Sequence, residues 1–115
     1  MKKILFLVMA VLAAASLMIA GCGGGDKKAD SQKVLRVGTE PTFAPFEFQK
    51  EGSKSYDGFD MDLARAIGEK LGYKVEIVSM GFDALIPALN SGNIDMVAAG
   101  MSINDERKQA VTFSD

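Results

Sequence analysis

After residue 33, the chain alternates between the apolar periodicities of strands and of helices. Residues 34–38 and 73–79 have the β-rich composition or the two-residue alternation of short strands. Residues 58–71 and 82–90 repeat apolar positions every three or four residues, which predicts two amphipathic helices. Residues 94–99 are almost continuously apolar, which predicts a central strand buried on both faces. The order strand, helix, strand, helix, strand indicates an α/β fold with a parallel sheet.

The first predicted helix has an apolar face and a defined end. Its face combines Leu63, Ala64, Ile67 and Leu71, which helical spacing places on one side. Gly72 follows directly and is a typical residue for ending a helix. We therefore expect this face to pack on the sheet.

The N-terminal segment is typical of an exported protein. Lys2 and Lys3 precede an uncharged apolar run, residues 4–19, and small residues follow it. A permanent transmembrane helix usually needs about 20 apolar residues, so an uncleaved anchor is the weaker alternative. We predict a signal peptide over residues 1–21.

Cys22 follows this segment in the run Ile19-Ala20-Gly21-Cys22, which resembles the bacterial lipobox. In a lipobox the cysteine is acylated and becomes the new N-terminus; the alternative here is an unmodified thiol beside a cleavage site. Residues 22–33 are rich in Gly and charge, which predicts a flexible tether. The predicted protein is thus extracytoplasmic, anchored by lipid to the cell membrane, with an α/β lobe over residues 34–115.

Composition excludes several kinds of chemistry. After residue 21 the chain has 11 basic and 15 acidic side chains and no basic stripe, which argues against a nucleic-acid partner. It has no His, and its single Cys precedes the predicted lobe. Without these ligands and nucleophiles, we predict no catalytic residue, no metal site, no disulfide and no cofactor.

The predicted topology points to three loops as a candidate binding site. Ligands of parallel α/β sheets bind beyond the carboxyl ends of the strands. The three loops are residues 39–47, 80–83 and 100–107. Together they contain most of the residues that do not fit a buried core.

Aromatic residues in these loops have two interpretations. Phe43 lies between two prolines, where it can form a ligand wall or plug the end of the sheet. For Phe46 and Phe48, the plug is the favoured interpretation. Phe82 opens the second helix, and its simplest role is that of a core residue.

The third loop combines features that suit an anion. Gly100 allows close backbone approach, and Ser102 lies three residues before Asp105, as in a capping box, so a helix should begin near Asn104. Arg107 then lies in the first turn, where a guanidinium opposes the helix dipole unless an anion lies between them.

The alternative for Arg107 is an ordinary solvated face. In that case Arg107 and Lys108 would pair with Asp105 or Glu106, which are close to them along the chain. The spacing alone does not separate the two interpretations.

Three blocks of sequence together resemble a known family. The run GFDMDLARAIGEKL, residues 58–71, resembles the signature of the extracellular solute-binding proteins of family 3, the polar amino-acid receptors of bacterial ABC importers. Residues 38–48 and 98–108 are similar to the ligand-lining segments of that family. The resemblance implies a type II periplasmic-binding-protein-like lobe, with a parallel-rich sheet flanked by helices.

The resemblance also implies roles for the third loop. Arg107 matches the residue that holds the α-carboxylate of the ligand in a two-pronged salt bridge, assisted by the backbone N–H of Ser102. The hydroxyl of Ser102 and the carbonyl of Gly100 match acceptors for the α-ammonium group.

The side chain of the ligand would lie between aromatic rings. Phe43 and Phe82 match the two positions that sandwich it, and Glu40 matches an acidic position near its far end. The family more often has Asp where this chain has Glu40. These residues favour glutamine, arginine, lysine or histidine as the ligand.

Members of this family have a second lobe joined by a hinge, and this sequence ends at Asp115 before either. The resemblance therefore implies a fragment, monomeric and weak in binding, whose partners would be the permease subunits of an ABC transporter. The alternatives are the sensing domain of a membrane receptor, a dehydratase or cell-wall lytic enzyme on the same fold, and a purely structural lipoprotein. An enzyme would need an acid/base pair, and without His no side chain titrates near neutral pH unless its pKa is strongly shifted.

Overall fold

The computed structural model describes residues 31–115, in which short strands alternate with three helices. The predicted signal peptide, Cys22 and most of the tether lie outside the described residues. The strands are β1 Val34–Thr39, β2 Thr42–Phe43, β3 Glu47–Gln49, β4 Tyr56–Asp57, β5 Lys74–Ser79 and β6 Met96–Val97, and the helices are α1 Phe59–Leu71, α2 Phe82–Asn90 and α3 Asp105–Ala110. Within this part of the chain, no helix is both long and apolar enough to cross a bilayer.

A parallel sheet in the order β5-β1-β6 confirms the predicted fold class. β1 pairs with β5 along its whole length, from Val34 opposite Lys74 to Thr39 opposite Ser79. The prediction of a central strand over residues 94–99 is wrong, because β6 has two residues and pairs only with β1 among the described strands. β1 is the central strand instead.

The two faces of β1 pack against different helices. On one face, Leu35 and Val37 form a buried cluster with Ala64 of α1. On the other face, a Cβ added to Gly38 would meet the side chains of Leu85 and Ile94, which belong to a second cluster under α2. The core is therefore divided into two layers by a single strand.

The buried face of α1 differs in part from the predicted one. Met61, Ala64 and Gly68 are buried, whereas Leu63 is 47% exposed and Leu71 is 56% exposed. At Ala64 and Gly68 the small side chains let the helix lie close to the sheet, and a Cβ at Gly68 would overlap Val75 of β5. The larger leucines are displaced to the edge of this contact.

Loop carbonyl groups, rather than a side-chain cap, begin α1. The N–H of Phe59 donates to the carbonyl oxygen of Pro45 at 3.1 Å, and the N–H of Asp60 donates to that of Phe46 at 2.9 Å. Gly58, at the N-cap, has a φ of 119° that L side chains rarely adopt. The helix ends at a left-handed Gly72, as predicted.

A small antiparallel sheet, β2-β3-β4, lies in the region predicted as a loop and its continuation. In its register Thr42 lies opposite Phe48, Phe43 opposite Glu47, and Phe48 opposite Asp57. Strands of two or three residues are too short to show a periodicity, which explains why the sequence pattern did not predict them.

Asp95 interrupts the apolar run before β6 because it pairs with Arg36 of β1. The guanidinium donates to both carboxylate oxygens, at 2.8 and 3.0 Å, and the backbone N–H of Arg36 donates to Asp95 at 2.9 Å. These hydrogen bonds lower the pKa of Asp95. The pair joins the start of β6 to the central strand.

Candidate ligand-binding site

The three loops predicted to form a site follow strands that are neighbours in the parallel sheet. The N–H of Met80, after β5, donates to the carbonyl oxygen of Thr39 at 2.9 Å, and the N–H of Ala98, after β6, donates to that of Gly38 at 3.0 Å. The carboxyl ends of the three strands therefore meet at one edge, where ligands of such sheets bind.

Arg107 packs against Phe82 at this edge. Its guanidinium carbon lies 5.2 Å from the centroid of the Phe82 ring, within cation–π range. Its Nη1 donates to the carbonyl oxygen of Ser102 at 2.8 Å. The half-buried side chain is thereby held between α2 and the loop that precedes α3.

The helix that carries Arg107 starts where the sequence predicted, but its cap is different. The side-chain oxygen of Asn104 accepts the N–H of Arg107 at 2.8 Å. Asn104 is therefore the N-cap of α3 in place of the predicted Ser102 box.

Arg107 forms no ion pair within residues 31–115, where the ion pairs join Arg36 to Asp95, Lys50 to Asp57 and Arg65 to Asp62. The alternative pairing with Asp105 or Glu106 is thus not observed. A guanidinium has five N–H donors, so those not used by Ser102 are available to an anion such as a carboxylate.

A cavity of about 220 Å³ lies beside this guanidinium. It combines one cation, two carboxylates and an apolar wall, which suits a small ligand with charges of both signs. The lining residues are Phe82, Asp83, Ile86, Met101, Asn104, Glu106 and Arg107.

Phe43 contacts the other end of the same segment. Its ring would lie 3.2 Å from a Cβ added at Gly100, whose φ is 54°, so only glycine leaves room for the ring there without strain. The centroid of the Phe43 ring is 5.3 Å from that of Phe46. Phe43 is 54% exposed and is free to form a wall. The plug predicted for Phe46 is wrong, since this residue is 40% exposed.

The remaining predicted site residues make fewer contacts with Arg107 and the cavity. Ser102 is exposed and contacts Arg107 through its carbonyl group. Glu40 is half-buried after β1 and is not among the residues that line the cavity. The structure therefore brings Phe82, Ser102 and Arg107 together, places Phe43 on Gly100 and leaves Glu40 near Glu47. Of the six predicted site residues, Phe82 and Arg107 line the cavity.

Two acidic residues also contribute to this site, although the sequence predicted no binding role for either of them. Asp60 accepts the backbone N–H of Gly100 at 3.0 Å. Glu47 is 1% exposed, and burial, with smaller contributions from Asp60 and Glu40, raises its pKa to about 7. Glu47 is thus a group that titrates near neutral pH in a chain without His. The sequence does contain a hint of this, because Glu47 lies between Phe46 and Phe48. In a strand, its side chain points to the face opposite that of the two phenylalanines.

These carboxylates do not form a metal centre. Within residues 31–115, no three His, Cys, Asp or Glu side chains are grouped so that they could hold an ion.

Comparison with known proteins gives one family. Residues 35–115 match the model described as "Bacterial extracellular solute-binding proteins, family 3". The chain is 41% identical over 116 residues to the "Arginine-binding extracellular protein ArtP" of Bacillus subtilis, covering 100% of this chain and 44% of ArtP. It is 39% identical over 113 residues to a "Probable histidine-binding protein" of Neisseria gonorrhoeae, covering 94% of this chain and 42% of the relative. The chain thus spans about two fifths of these relatives.

Solved structures give the same result. An ancestral arginine-binding protein bound to arginine is 58% identical with a TM-score of 0.69, covering 73% of this chain and 37% of that protein. The arginine-bound domain 1 from TmArgBP is 48% identical with a TM-score of 0.69, covering 71% and 64%. The ancestral amino acid-binding protein AncCDT-1, described as a precursor of cyclohexadienyl dehydratase, is 49% identical with a TM-score of 0.67, covering 71% and 36%.

Proposed function

The chain belongs to family 3 of the bacterial extracellular solute-binding proteins, and on this premise we propose that it captures a cationic α-amino acid for an ABC importer. The observation that carries the proposal is the guanidinium of Arg107, which lies on Phe82, is held by Ser102 and has no carboxylate partner in the described part of the chain. Such a group is prepared to bind the carboxylate of a ligand.

The polar end of the amino acid would bind to the third loop. Arg107 grips the α-carboxylate with two parallel N–H donors, and the backbone N–H of Ser102 adds a third. The hydroxyl of Ser102 and the carbonyl oxygen of Gly100 accept the α-ammonium group. Fixing both charges at one end leaves the side chain of the amino acid to determine specificity.

The side chain of the amino acid would lie between Phe43 and Phe82, with Glu40 toward its far end. Aromatic faces attract a desolvated cation, and a carboxylate adds to this attraction. The arginine named for two of the relatives supports a cationic ligand, and the histidine named for another supports a basic one.

We further propose that the protein works at the outer side of the cell membrane. Residues 1–21 serve as a signal peptide, acylated Cys22 is the anchor, and residues 22–33 tether the lobe. The protein is a monomer that delivers its ligand to permease subunits. Mass spectrometry of the exported protein tests the anchor: an N-terminal Cys22 with added acyl chains is expected, and an unprocessed N-terminus contradicts it.

An NMR titration of the purified protein with amino acids tests the binding function. Residues 31–115 enclose a ligand from one side, so weak binding, roughly millimolar, is expected. The arginine-bound domain 1 from TmArgBP supports a test on one lobe. Arginine, lysine and histidine should produce saturable shifts of the Ser102 and Arg107 amides, whereas glutamate should not. Absence of saturable shifts with every α-amino acid contradicts the proposal.

A second experiment tests the role of Glu40. Glu40→Gln should weaken the binding of arginine by about 1 kcal/mol, roughly fivefold, and leave that of glutamine nearly unchanged, because only arginine loses a charge partner. Glu51→Gln, which removes an exposed charge from the turn after β3, is the matched control. An equal loss for both ligands contradicts a role in charge selection.

An enzyme is the second candidate, since AncCDT-1 is described as a dehydratase precursor and Glu47 has a pKa of about 7. However, Glu47 is 1% exposed, so its carboxyl group is covered by other parts of the protein. A general acid or base must come within hydrogen-bond distance of its substrate. We therefore favour binding without turnover.

A further inference from the structure

Glu47 connects two of the proposed ligand contacts and is not itself one of them. In the β2-β3 ladder it is the register partner of Phe43. Its carboxyl group also approaches Gly100, since a Cβ added there would lie 3.7 Å from Oε1 of Glu47. With 1% of its surface exposed, the side chain is almost fully removed from solvent.

The hydrogen bonding of this carboxyl group is incomplete if the group is ionised. The buried Oε2 atom of Glu47 has no hydrogen-bond partner within the described residues. Its titratable neighbours are acidic, Asp60 at the start of α1 and Glu40 after β1, and no cation of residues 31–115 pairs with it. Ionised carboxylates only accept hydrogen bonds, so one of these groups must carry a proton to satisfy the other.

If Glu47 carries the proton, the carboxylate of Asp60 can accept its hydrogen bond. It already accepts the backbone N–H of Gly100 at 3.0 Å, and its own N–H is fixed to the Phe46 carbonyl. A hydrogen bond from Glu47 would therefore complete a chain of contacts from β3 through α1 to the third loop.

We propose that protonated Glu47 is a positioning residue, which donates to Asp60 and so holds Phe43 and Gly100 in place for the ligand. The inference rests on the proposed amino-acid-binding function. Ionisation of Glu47 would place two negative charges side by side in a buried site, and their repulsion would loosen the Asp60 contact with Gly100.

The proposal predicts a loss of affinity as the pH rises. The pKa of Glu47 is raised from its ordinary value to about 7, so the native state holds this proton between about pH 4.5 and 7 while the unfolded chain releases it. The free energy of unfolding should therefore decrease across that window and change little above it.

If only the form with protonated Glu47 binds, the ionisation of this group should lower the affinity roughly 30-fold at pH 8.5.

The test uses arginine, whose α-carboxylate stays ionised between about pH 5.5 and 8.5. Its α-ammonium group begins to lose its proton roughly above pH 7.5, but this loss is the same for every variant, so the variants are compared with one another at each pH. Binding to the purified protein is measured across this range for wild type, Glu47→Gln and Glu51→Gln. The amide introduced by Glu47→Gln keeps a donor for Asp60 and cannot ionise. The affinity of this variant should therefore match that of wild type at pH 5.5 and then fall only by the share that comes from the ligand's own α-ammonium group. Wild type and the Glu51→Gln control should both lose affinity as the pH rises.

A second readout does not need a ligand. The amide of Gly100 should show a chemical-shift titration with a midpoint near pH 7 in wild type, and this titration should disappear in Glu47→Gln. If wild type binds no amino acid, the proposed function fails, but the Gly100 titration still decides the role of Glu47. A Gly100 amide that titrates equally in both proteins, or does not titrate in wild type, would overturn the inference.

Discussion

Arg107→Ala is expected to weaken amino-acid binding by about 2 kcal/mol or more, roughly thirtyfold in Kd. The truncation leaves the α-carboxylate of the ligand without its cation and removes the guanidinium that packs on the ring of Phe82. The measurement is the same NMR titration with arginine, followed on amides outside the mutated turn.

Lys108→Ala is the matched control, because it removes one positive charge from the next position of α3 and is exposed. It should change arginine affinity little, since exposed charges contribute mainly through long-range attraction that salt screens. Nearly unchanged affinity in Arg107→Ala, or an equal loss in both variants, would exclude Arg107 from the site.

Gly58→Ala is expected to have the largest effect on stability, a loss of about 3 kcal/mol or more. The φ of 119° is unfavourable for any L side chain, and a Cβ would lie 2.8 Å from the carbonyl oxygen of Pro45. That carbonyl group and its neighbour accept the first N–H groups of α1, so they cannot move away without exposing them. Urea unfolding, followed by circular dichroism, measures the loss.

Substitutions at two other glycines separate the effect of backbone strain from that of steric overlap. Gly52→Ala introduces a side chain at a φ of 77° with nothing within 4 Å, so it should cost only about 1 kcal/mol. Gly81→Ala has a φ of −64° and open space around it, and its stability should stay within about 0.5 kcal/mol of wild type. Equal losses at Gly58 and Gly52 would show that the contact with the loop carbonyls is unimportant.

The sequence predicted those parts of the fold in which a repeated pattern extends over several turns or residues. α1, α2 and β5 each show such a pattern, and the structure confirms them. The edge position of β6 was not predictable from its composition, because an apolar run shows burial but not how many neighbours a strand has. The predicted buried face of α1 was partly wrong, since Met61 and Gly68 are buried whereas Leu63 and Leu71 are exposed.

The candidate site was predictable where residue type alone indicates chemistry. Arg107 and Phe82 do meet, because both follow strands whose carboxyl ends share an edge. The roles of Glu47 and Asp60 were not predicted, since they depend on contacts between β3, α1 and the third loop that no local pattern encodes. Their proximity arises from tertiary structure.

The long stretch of chain between β1 and its partner β5 also sets an order of events during synthesis. Val34 pairs with Lys74 and Thr39 with Ser79, so the central ladder cannot close until the ribosome has added the last of these residues. Pairings that are distant along a chain form slowly compared with helices. The nascent polypeptide therefore carries β1 as an unpaired apolar strand until Ser79 has been added.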